Sequence, residues 1–296
     1  MISKTAVTSR QSKADGELWE FPRQLLLPGV IELSAFVPAK LQLILSLFPG
    51  IDLLGRGFED AGFCVVRGPD TIFGGDIRNF YPPVGKFDGI IGGSPCQDFS
   101  IARRGIPPTG NGRKMIDQFI RCVAAAQPDW WLLENVPGVP NVKIPGYNWQ
   151  RLDLRASEFG LKQRRLRHIQ FGSRHGMVLV MTRNAATVET ARAVMATDFE
   201  TPWAKFCSLQ GLPENFDIPS FTVAAKRTAV GNGVPVPMAN ALAMAVANMV
   251  PAGSVNLCMC GIDGSCGRPL YGKQIYAGAA CRMRAMRNRR NAEKDK

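Results

Sequence analysis

The sequence has 296 residues, 46% of them hydrophobic, which is enough for one large core with a smaller lobe attached. It carries 36 basic and 24 acidic side chains, and the formal charge of +12 favours a polyanionic partner such as nucleic acid. It contains no run of 18 or more uncharged apolar residues and no apolar leader with a cleavage site, so we expect a soluble protein that does not enter a membrane.

The first part of the chain predicts an arm followed by an α/β sheet. Residues 1–40 contain three prolines between short apolar pieces, which favours an N-terminal arm. From residue 41 to 175, short apolar runs alternate with stretches whose apolar residues recur at helical spacing, the pattern of a mostly parallel sheet with flanking helices. The predicted strands are Leu41–Leu47, Cys64–Val66, Phe87–Ile91 and Trp130–Leu133, and the predicted helices are Leu53–Ala61, Lys114–Ala126 and Trp149–Phe159.

The remainder of the chain predicts three further segments. Residues 176–220 are less regular and suggest a short lobe with a return segment, and residues 221–253 contain an Ala- and Met-rich helix predicted over Met238–Val250. Residues 254–296 form a Cys-rich module with a basic tail. The tail Arg282–Lys296 has seven basic against two acidic residues, +5 of the +12, so a tail effect is the alternative explanation of the charge.

The eight cysteines do not show the spacing of a disulfide framework. Four are scattered through the sequence of the predicted sheet and lobe, and four cluster near the C-terminus. This usage indicates a reducing, cytoplasmic compartment in which thiols stay reactive or bind metal.

Three strand ends carry the residues with chemical potential. Gly50 follows the first strand and lets the backbone approach a ligand, although an ordinary strand-to-helix turn would look the same. Cys96 follows two glycines and a proline, a turn that presents a thiol to a cleft, whereas a lone cysteine is more often a small buried hydrophobe. Glu134 ends the apolar run 130–133 and could serve as an acid, although such a residue is usually solvated.

Taken in order, these segments resemble the motifs of the cytosine-5 DNA methyltransferase family over about residues 43–250. The order of the matches is harder to obtain by chance than any single match. The matching segments are Phe48 with Gly50 for the cofactor loop, Asp76-Ile77 for the pair that reads adenine, Pro95-Cys96-Gln97 for the catalytic loop, Glu134-Asn135-Val136 for the glutamate motif, Gln163–Arg167 for the Gln-x-Arg-x-Arg motif and Gly231–Pro235 for the closing Gly-Asn motif.

The resemblance implies a Rossmann-like S-adenosylmethionine-dependent methyltransferase fold and methyl transfer to carbon 5 of cytosine in double-stranded DNA. It implies that Cys96 adds to carbon 6 of a cytosine flipped out of the duplex. Glu134 would donate or share a proton at ring nitrogen 3, and a fixed cation would stabilise the exocyclic oxygen. We assign that cation to Arg165 and a structural role to Arg167.

The resemblance also assigns cofactor binding, with two departures from the family pattern. Ser46 stands where the family carries an acidic residue, and Asp52-Leu53 replace a glycine pair. The family's acidic residue after the second strand is missing as well, and we place Asp70 in that role. The residues expected to bind S-adenosylmethionine are Phe48, Gly50, Asp70, Asp76, Ile77 and Asn232.

Little chain is left for target recognition. The family reads bases in the major groove with a domain between the arginine motif and Gly231, and here only about Ser173–Lys205 is available, which predicts either a minimal target or a helper surface. A basic stretch after Cys96 suits either a loop that closes over DNA or a solvated loop; its members are Arg103, Arg104, Arg113 and Lys114. We expect a monomer, and the sequence does not distinguish among restriction-modification, phage self-protection and regulation.

The C-terminal cysteines resemble small zinc-ribbon-like tails that end in an Arg-rich helix. Four thiolates are enough for a structural zinc site. The predicted ligands are Cys258, Cys260, Cys266 and Cys281, and the alternative is free thiols before a basic tail.

Two other functions compete with DNA methylation. One is the same chemistry on RNA. The other is a non-catalytic DNA-binding protein that keeps a methyltransferase fold. The altered cofactor loop and short recognition span favour the second, whereas the presence of Cys96, Glu134, Arg165 and Asn232 argues against it.

Overall fold

The computed structural model describes residues 42–100, 107–184 and 188–258, with short pieces between 270 and 287, namely 270, 275–276, 278–279, 281–283 and 285–287. All of these belong to one compact unit. The predicted N-terminal arm, residues 1–40, lies outside the described residues.

A six-stranded sheet forms the centre of the protein, in the order β2-β1-β3-β4-β7-β5. Strands β1 to β4 are parallel, and β7 runs antiparallel to both β4 and β5. The mostly parallel α/β fold predicted from the alternation of strands and helices is confirmed. The six strands are β1 Leu43–Leu47, β2 Cys64–Arg67, β3 Gly89–Gly93, β4 Trp130–Asn135, β5 Gln150–Arg155 and β7 Leu166–Ser173.

Between residues 42 and 258, the described chain also contains five α-helices and two small two-stranded sheets, besides short 3-10 turns. The helices are α1 Leu53–Asp60, α2 Asn111–Ala126, α3 Trp203–Leu209, α4 Val223–Asn232 and α5 Val236–Ala247. The small sheets pair β6 Gln163–Arg164 with β9 Ala191–Arg192, and β8 Met177–Val178 with β10 Val250–Pro251.

The prediction of a helix over Trp149–Phe159 is wrong. Residues 150–155 form strand β5, and only 156–159 form a short 3-10 turn. In β5 the side chains of Gln150, Leu152 and Leu154 are buried and alternate with more exposed neighbours, which is the period of a strand. The apolar residues in this stretch fit both periods, and pairing with β7 decides the outcome.

Both faces of the sheet are covered by apolar side chains. Trp130 packs on one face with residues of α1 and α5, whereas Trp131, next in β4, packs on the other face with residues of α2. Adjacent residues of a strand point to opposite faces, so a strand buried on both sides must be apolar throughout. This explains the uninterrupted apolar run before Glu134.

The described part of the predicted lobe, residues 176–184 and 188–220, pairs with strands outside it. β8 pairs with β10 and β9 with β6, while Leu179 and Met181 belong to the core beneath the sheet. The segment therefore shares the core of the main unit.

The segment Val223–Ala247 is long and apolar enough to cross a membrane by length and composition alone. Residues 233–235 divide it into α4 and α5, and 61% of its apolar window is buried within the protein, as a core helix would be.

We expect Gly89→Ala to destabilise the protein. Gly89 faces Trp130 across β3 and β4, and an added Cβ would overlap the indole ring. Overpacking of this kind costs about 1–3 kcal/mol, which urea unfolding would measure. The control is Gly253→Ala, where nothing lies within 4 Å of the added carbon. Equal unfolding free energies for the two variants would contradict the tight fit at Trp130.

Candidate active site

A cavity of about 700 Å³ lies at the carboxyl ends of strands β1, β3 and β4. This edge is where doubly wound sheets bind ligands, and the volume is that of a small-molecule site. The loop after β1, the turn after β3 and the end of β4 all border the cavity, together with the end of α4.

The loop between β1 and α1 has an unusual backbone. Phe48, Gly50 and Asp52 have φ angles of +54°, +56° and +56°, in the left-handed region. The amide of Gly50 donates to Asp70 Oδ2 at 2.9 Å, and Asp70 Oδ1 accepts from the amide of Ile72 at 2.9 Å. Asp70 therefore fixes the loop that carries Gly50.

A second cavity wall follows β2. Asp76 and Ile77 begin a short 3-10 turn, and Arg78 Nη2 lies 2.6 Å from Asp76 Oδ2. Arg121 of α2 holds this turn because its guanidinium donates to the carbonyls of Ile77 at 2.7 Å and Phe80 at 2.8 Å. All six residues predicted to bind the cofactor border the cavity: Phe48, Gly50, Asp70, Asp76, Ile77 and Asn232.

Cys96 borders the same cavity in a turn just after β3. The turn is closed by a hydrogen bond from the Phe99 amide to the Cys96 carbonyl at 3.0 Å. The carboxylate of Asp98 accepts from the amides of Thr109 at 2.9 Å and Gly112 at 2.7 Å, at the start of α2. The thiol is thus carried by a turn fixed to the sheet and to a helix.

Glu134 forms a buried ion pair with Arg167. Arg167 Nε lies 2.7 Å from Glu134 Oε1, and the two side chains are 12% and 8% exposed. Burial raises the pKa of the Glu134 carboxyl, and the charges of Arg167 and Arg165 partly oppose that rise. Burial also raises the pKa of the Cys96 thiol, the negative charge of Glu134 raises it further, and the same arginines lower it.

Arg165 does not border the cavity, whereas Arg167 does. Arg165 is 2% exposed and donates to the carbonyls of Val194 and Gly231 at 2.9 Å and of Gly233 at 2.7 Å. The expectation that Arg165 reaches the reacting base and Arg167 is structural does not fit this geometry. The guanidinium of Arg165 donates these hydrogen bonds to backbone carbonyls that would otherwise be buried without a donor.

Sequence reasoning assigned no role to Asn135. Its side-chain amide donates to the carbonyl and to the hydroxyl of Ser94, both at 2.9 Å. The contact joins the end of β4 to the turn of Cys96, and so holds Cys96 and Glu134 at one cavity. The signal in the sequence that could have pointed to Asn135 is its position in the segment Glu134-Asn135-Val136, directly after the strand-end carboxylate.

Part of the predicted zinc module can be located. Cys258 and Cys281 are buried in one small cluster with Ala285. Cys260 and Cys266 lie outside the described residues, as do Arg103 and Arg104 of the predicted basic loop. Within the described ranges, no group of three or more His, Cys, Asp or Glu residues is arranged to hold a metal ion.

Comparison with known proteins identifies the family of the chain. The model of the family described as C-5 cytosine-specific DNA methylase matches residues 43–205, more than half of the chain. The type II methyltransferase M.HgiDI of Herpetosiphon aurantiacus is 31% identical over 164 residues, 45% of this chain and 53% of that protein. The type II methyltransferase M.FnuDI of Fusobacterium nucleatum is 32% identical over 163 residues, 44% of this chain and 46% of that protein.

The chain therefore spans about half the length of these curated relatives. Among solved structures, the Entamoeba histolytica methyltransferase EhMeth superposes with a TM-score of 0.52 at 10% identity, over 69% of this chain and 97% of that one. At that identity the likeness establishes the methyltransferase fold alone.

We expect Cys96 to react with iodoacetamide at a higher pH than an ordinary thiol, because its pKa is raised by burial and by Glu134. Glu134→Gln removes a negative charge, so the midpoint of the pH profile should fall. Arg167→Gln removes a positive charge, so the midpoint should rise. Mass spectrometry of the labelled peptides would follow Cys96, with the exposed Cys64 as internal reference. Shifts of the same sign in both variants would contradict this electrostatic arrangement.

Proposed function

Because the chain belongs to the C-5 cytosine-specific DNA methylase family, we propose that it transfers a methyl group from S-adenosylmethionine to carbon 5 of cytosine in double-stranded DNA. One observation carries the proposal: Cys96, Glu134 and Arg167 border the same cavity as the six residues predicted for the cofactor.

Cys96 is the nucleophile in this proposal. Carbon 5 of the intact aromatic ring is a poor nucleophile, and addition of the Cys96 thiolate at carbon 6 moves an electron pair toward carbon 5 and ring nitrogen 3. Carbon 5 then takes the methyl group. Loss of the carbon 5 proton to water, return of the proton on ring nitrogen 3 to Glu134 and cleavage of the bond between sulfur and carbon 6 restore the ring and the thiolate.

Glu134 supplies the acid. Glu134 borders the cavity, and burial raises the pKa of its carboxyl, which favours sharing a proton with ring nitrogen 3 as the thiolate adds, a step that contributes about 10²- to 10⁴-fold. Arg167, in contact with Glu134, is placed to stabilise the exocyclic oxygen of the same ring. Arg167 thus takes the role expected of Arg165, which is held away from the cavity by three carbonyls.

The residues around the cofactor side of the cavity fit S-adenosylmethionine. When bound, this molecule supplies a methyl group on a sulfonium, an electrophile that carbon 5 can attack. The loop of Gly50 gives close backbone approach, Asp70 and Asp76 give carboxylates, and Asn232 gives an amide from the end of α4.

Double-stranded DNA is the proposed partner. The target base must leave the duplex to reach Cys96, and the net charge of +12 favours the flanking phosphates. Arg113 and Lys114 are exposed on the first turn of α2, beside the cavity.

The relatives named type II methyltransferases suggest a role in restriction-modification. We further propose that the protein is a monomer. A cytoplasmic location is also proposed, and the unpaired thiols of Cys96 and Cys122 support it.

We propose a structural zinc ion in the C-terminal module, separate from the reaction. Cys258 and Cys281 share one buried cluster, which fits two ligands of a four-thiolate set. Metal analysis of the purified chain should give about one zinc per molecule, with less in Cys258→Ser. Trace zinc in the wild-type protein would overturn this proposal.

We expect the wild-type chain to introduce 5-methylcytosine when expressed in cells that lack cytosine methylation, and Cys96→Ser to introduce none. Bisulfite sequencing would measure this. Duplex DNA that carries 5-fluorocytosine should trap the wild-type protein covalently, because fluorine at carbon 5 cannot leave as a proton does. Methyl transfer to structured RNA but not to duplex DNA in vitro would overturn the choice of substrate.

We expect substitution of Arg167 to lower turnover and substitution of Arg165 to lower stability. Arg167→Met should lower turnover by about 10²- to 10³-fold, as for other lost oxyanion donors. Arg165→Met should lower the free energy of unfolding by about 3 kcal/mol, because three buried carbonyls lose their donor. Single-turnover rates and urea unfolding would measure both. A loss of turnover without a loss of stability in Arg165→Met would contradict the assignment.

A further inference from the structure

The loop between β1 and α1 needs external support. Two of its three left-handed residues, Phe48 and Asp52, carry side chains, and such residues cost about 1–2 kcal/mol each in this conformation. Local strain of this kind persists only where surrounding contacts determine the backbone. Gly50 is held by Asp70, on one side of the loop.

Asp52 supports the other side. Its carboxylate accepts from Ser46 Oγ at 2.8 Å and from the amide of Gly55 at 3.0 Å, and Arg67 Nε lies 3.0 Å from Oδ2. Ser46 is in β1, Gly55 in the first turn of α1 and Arg67 at the end of β2. One buried carboxylate therefore joins the two elements that flank the loop, β1 and α1, to the neighbouring strand β2.

Gly55 and Asp52 depend on each other. A Cβ at Gly55 would overlap the Asp52 carboxylate. The side chain of Asp52 is only 1% exposed, so it has no room to move away. Glycine at 55 is therefore required by this carboxylate, although alanine would otherwise suit a helix better.

The same contacts explain the two departures from the family pattern. Ser46 stands where the family has an acidic residue and Asp52 stands in place of a glycine, and their side chains are hydrogen-bonded to each other. In this chain the carboxylate of Asp52, at the cap of α1, lies against the end of β1.

We propose that Asp52 is the positioning residue of the cofactor loop and that, with Ser46 and Gly55, it holds the backbone of this loop in the form that binds the cofactor. This inference rests on the proposed function, because it concerns binding of S-adenosylmethionine. Asp52 acts through the loop backbone and has no part in the reaction itself.

The test measures S-adenosylmethionine binding by calorimetry on the full chain, with the melting temperature recorded for each variant. Asp52→Gly removes the carboxylate while glycine adopts the left-handed backbone without strain, and it should weaken binding about tenfold or more. Gly55→Ala should do the same. The double variant Ser46→Asp with Asp52→Gly returns a carboxylate to this space and should restore most of the affinity.

Glu59→Gln is the matched control. Glu59 pairs with the same Arg67 at 2.8 Å, but on the exposed side of α1, and its loss should leave the affinity unchanged. In Asp52→Gly the loss should appear as a higher KM for S-adenosylmethionine more than as a lower kcat, because Asp52 supports the loop that binds the cofactor.

The outcomes separate the two proposals. If the wild type binds no S-adenosylmethionine, the proposed function fails and this inference fails with it. If the wild type binds and Asp52→Gly binds equally well, only the role of Asp52 is overturned. A double variant that regains the melting temperature but not the affinity would also overturn that role, since Asp52 would then be merely structural.

Discussion

A carboxylate buried at the end of a central strand sets the conditions for the rest of the site. Glu134 is buried because β4 is covered on both faces. A buried charge without a partner would lower the stability of the fold by several kcal/mol. Arg167 balances that charge from the neighbouring antiparallel strand. The pair in turn sets the electrostatics of Cys96, whose pKa responds to both partners. Cys96, Glu134 and Arg167 thus form one electrostatically coupled group rather than three independent residues.

The backbone around this group is held by side chains that do no chemistry. Asn135 ties the end of β4 to the turn of Cys96, Asp98 ties that turn to α2, and Arg165 supplies donors at the end of α4. Asp52 and Asp70 do the same for the left-handed loop after β1. Each is a buried or half-buried polar group matched to backbone amides or carbonyls, which is how a cavity edge made of loops becomes rigid.

Much of the fold and site could be predicted because the relevant signals are local. Apolar runs identified β1 to β4, and a strand end followed by Gly-Gly-x-Pro identified the turn of Cys96. The choice between Arg165 and Arg167 could not be made in the same way. The two are two residues apart, so the alternation of a strand would place both on the same side of the chain. Only their partners distinguish them, which are backbone carbonyls for Arg165 and Glu134 for Arg167.

By itself, the sequence determined the parallel α/β core, the family resemblance and the placement of Cys96 and Glu134 after two strands of that core, because periodicity and motif order are properties of the chain alone. Only the tertiary structure decided that 150–155 is a strand, that Arg167 faces Glu134, and that Asp52 lies against Ser46. Those outcomes depend on partners far apart in sequence or on the path of a loop. Burial and hydrogen-bond satisfaction act on the folded arrangement and not on residue order.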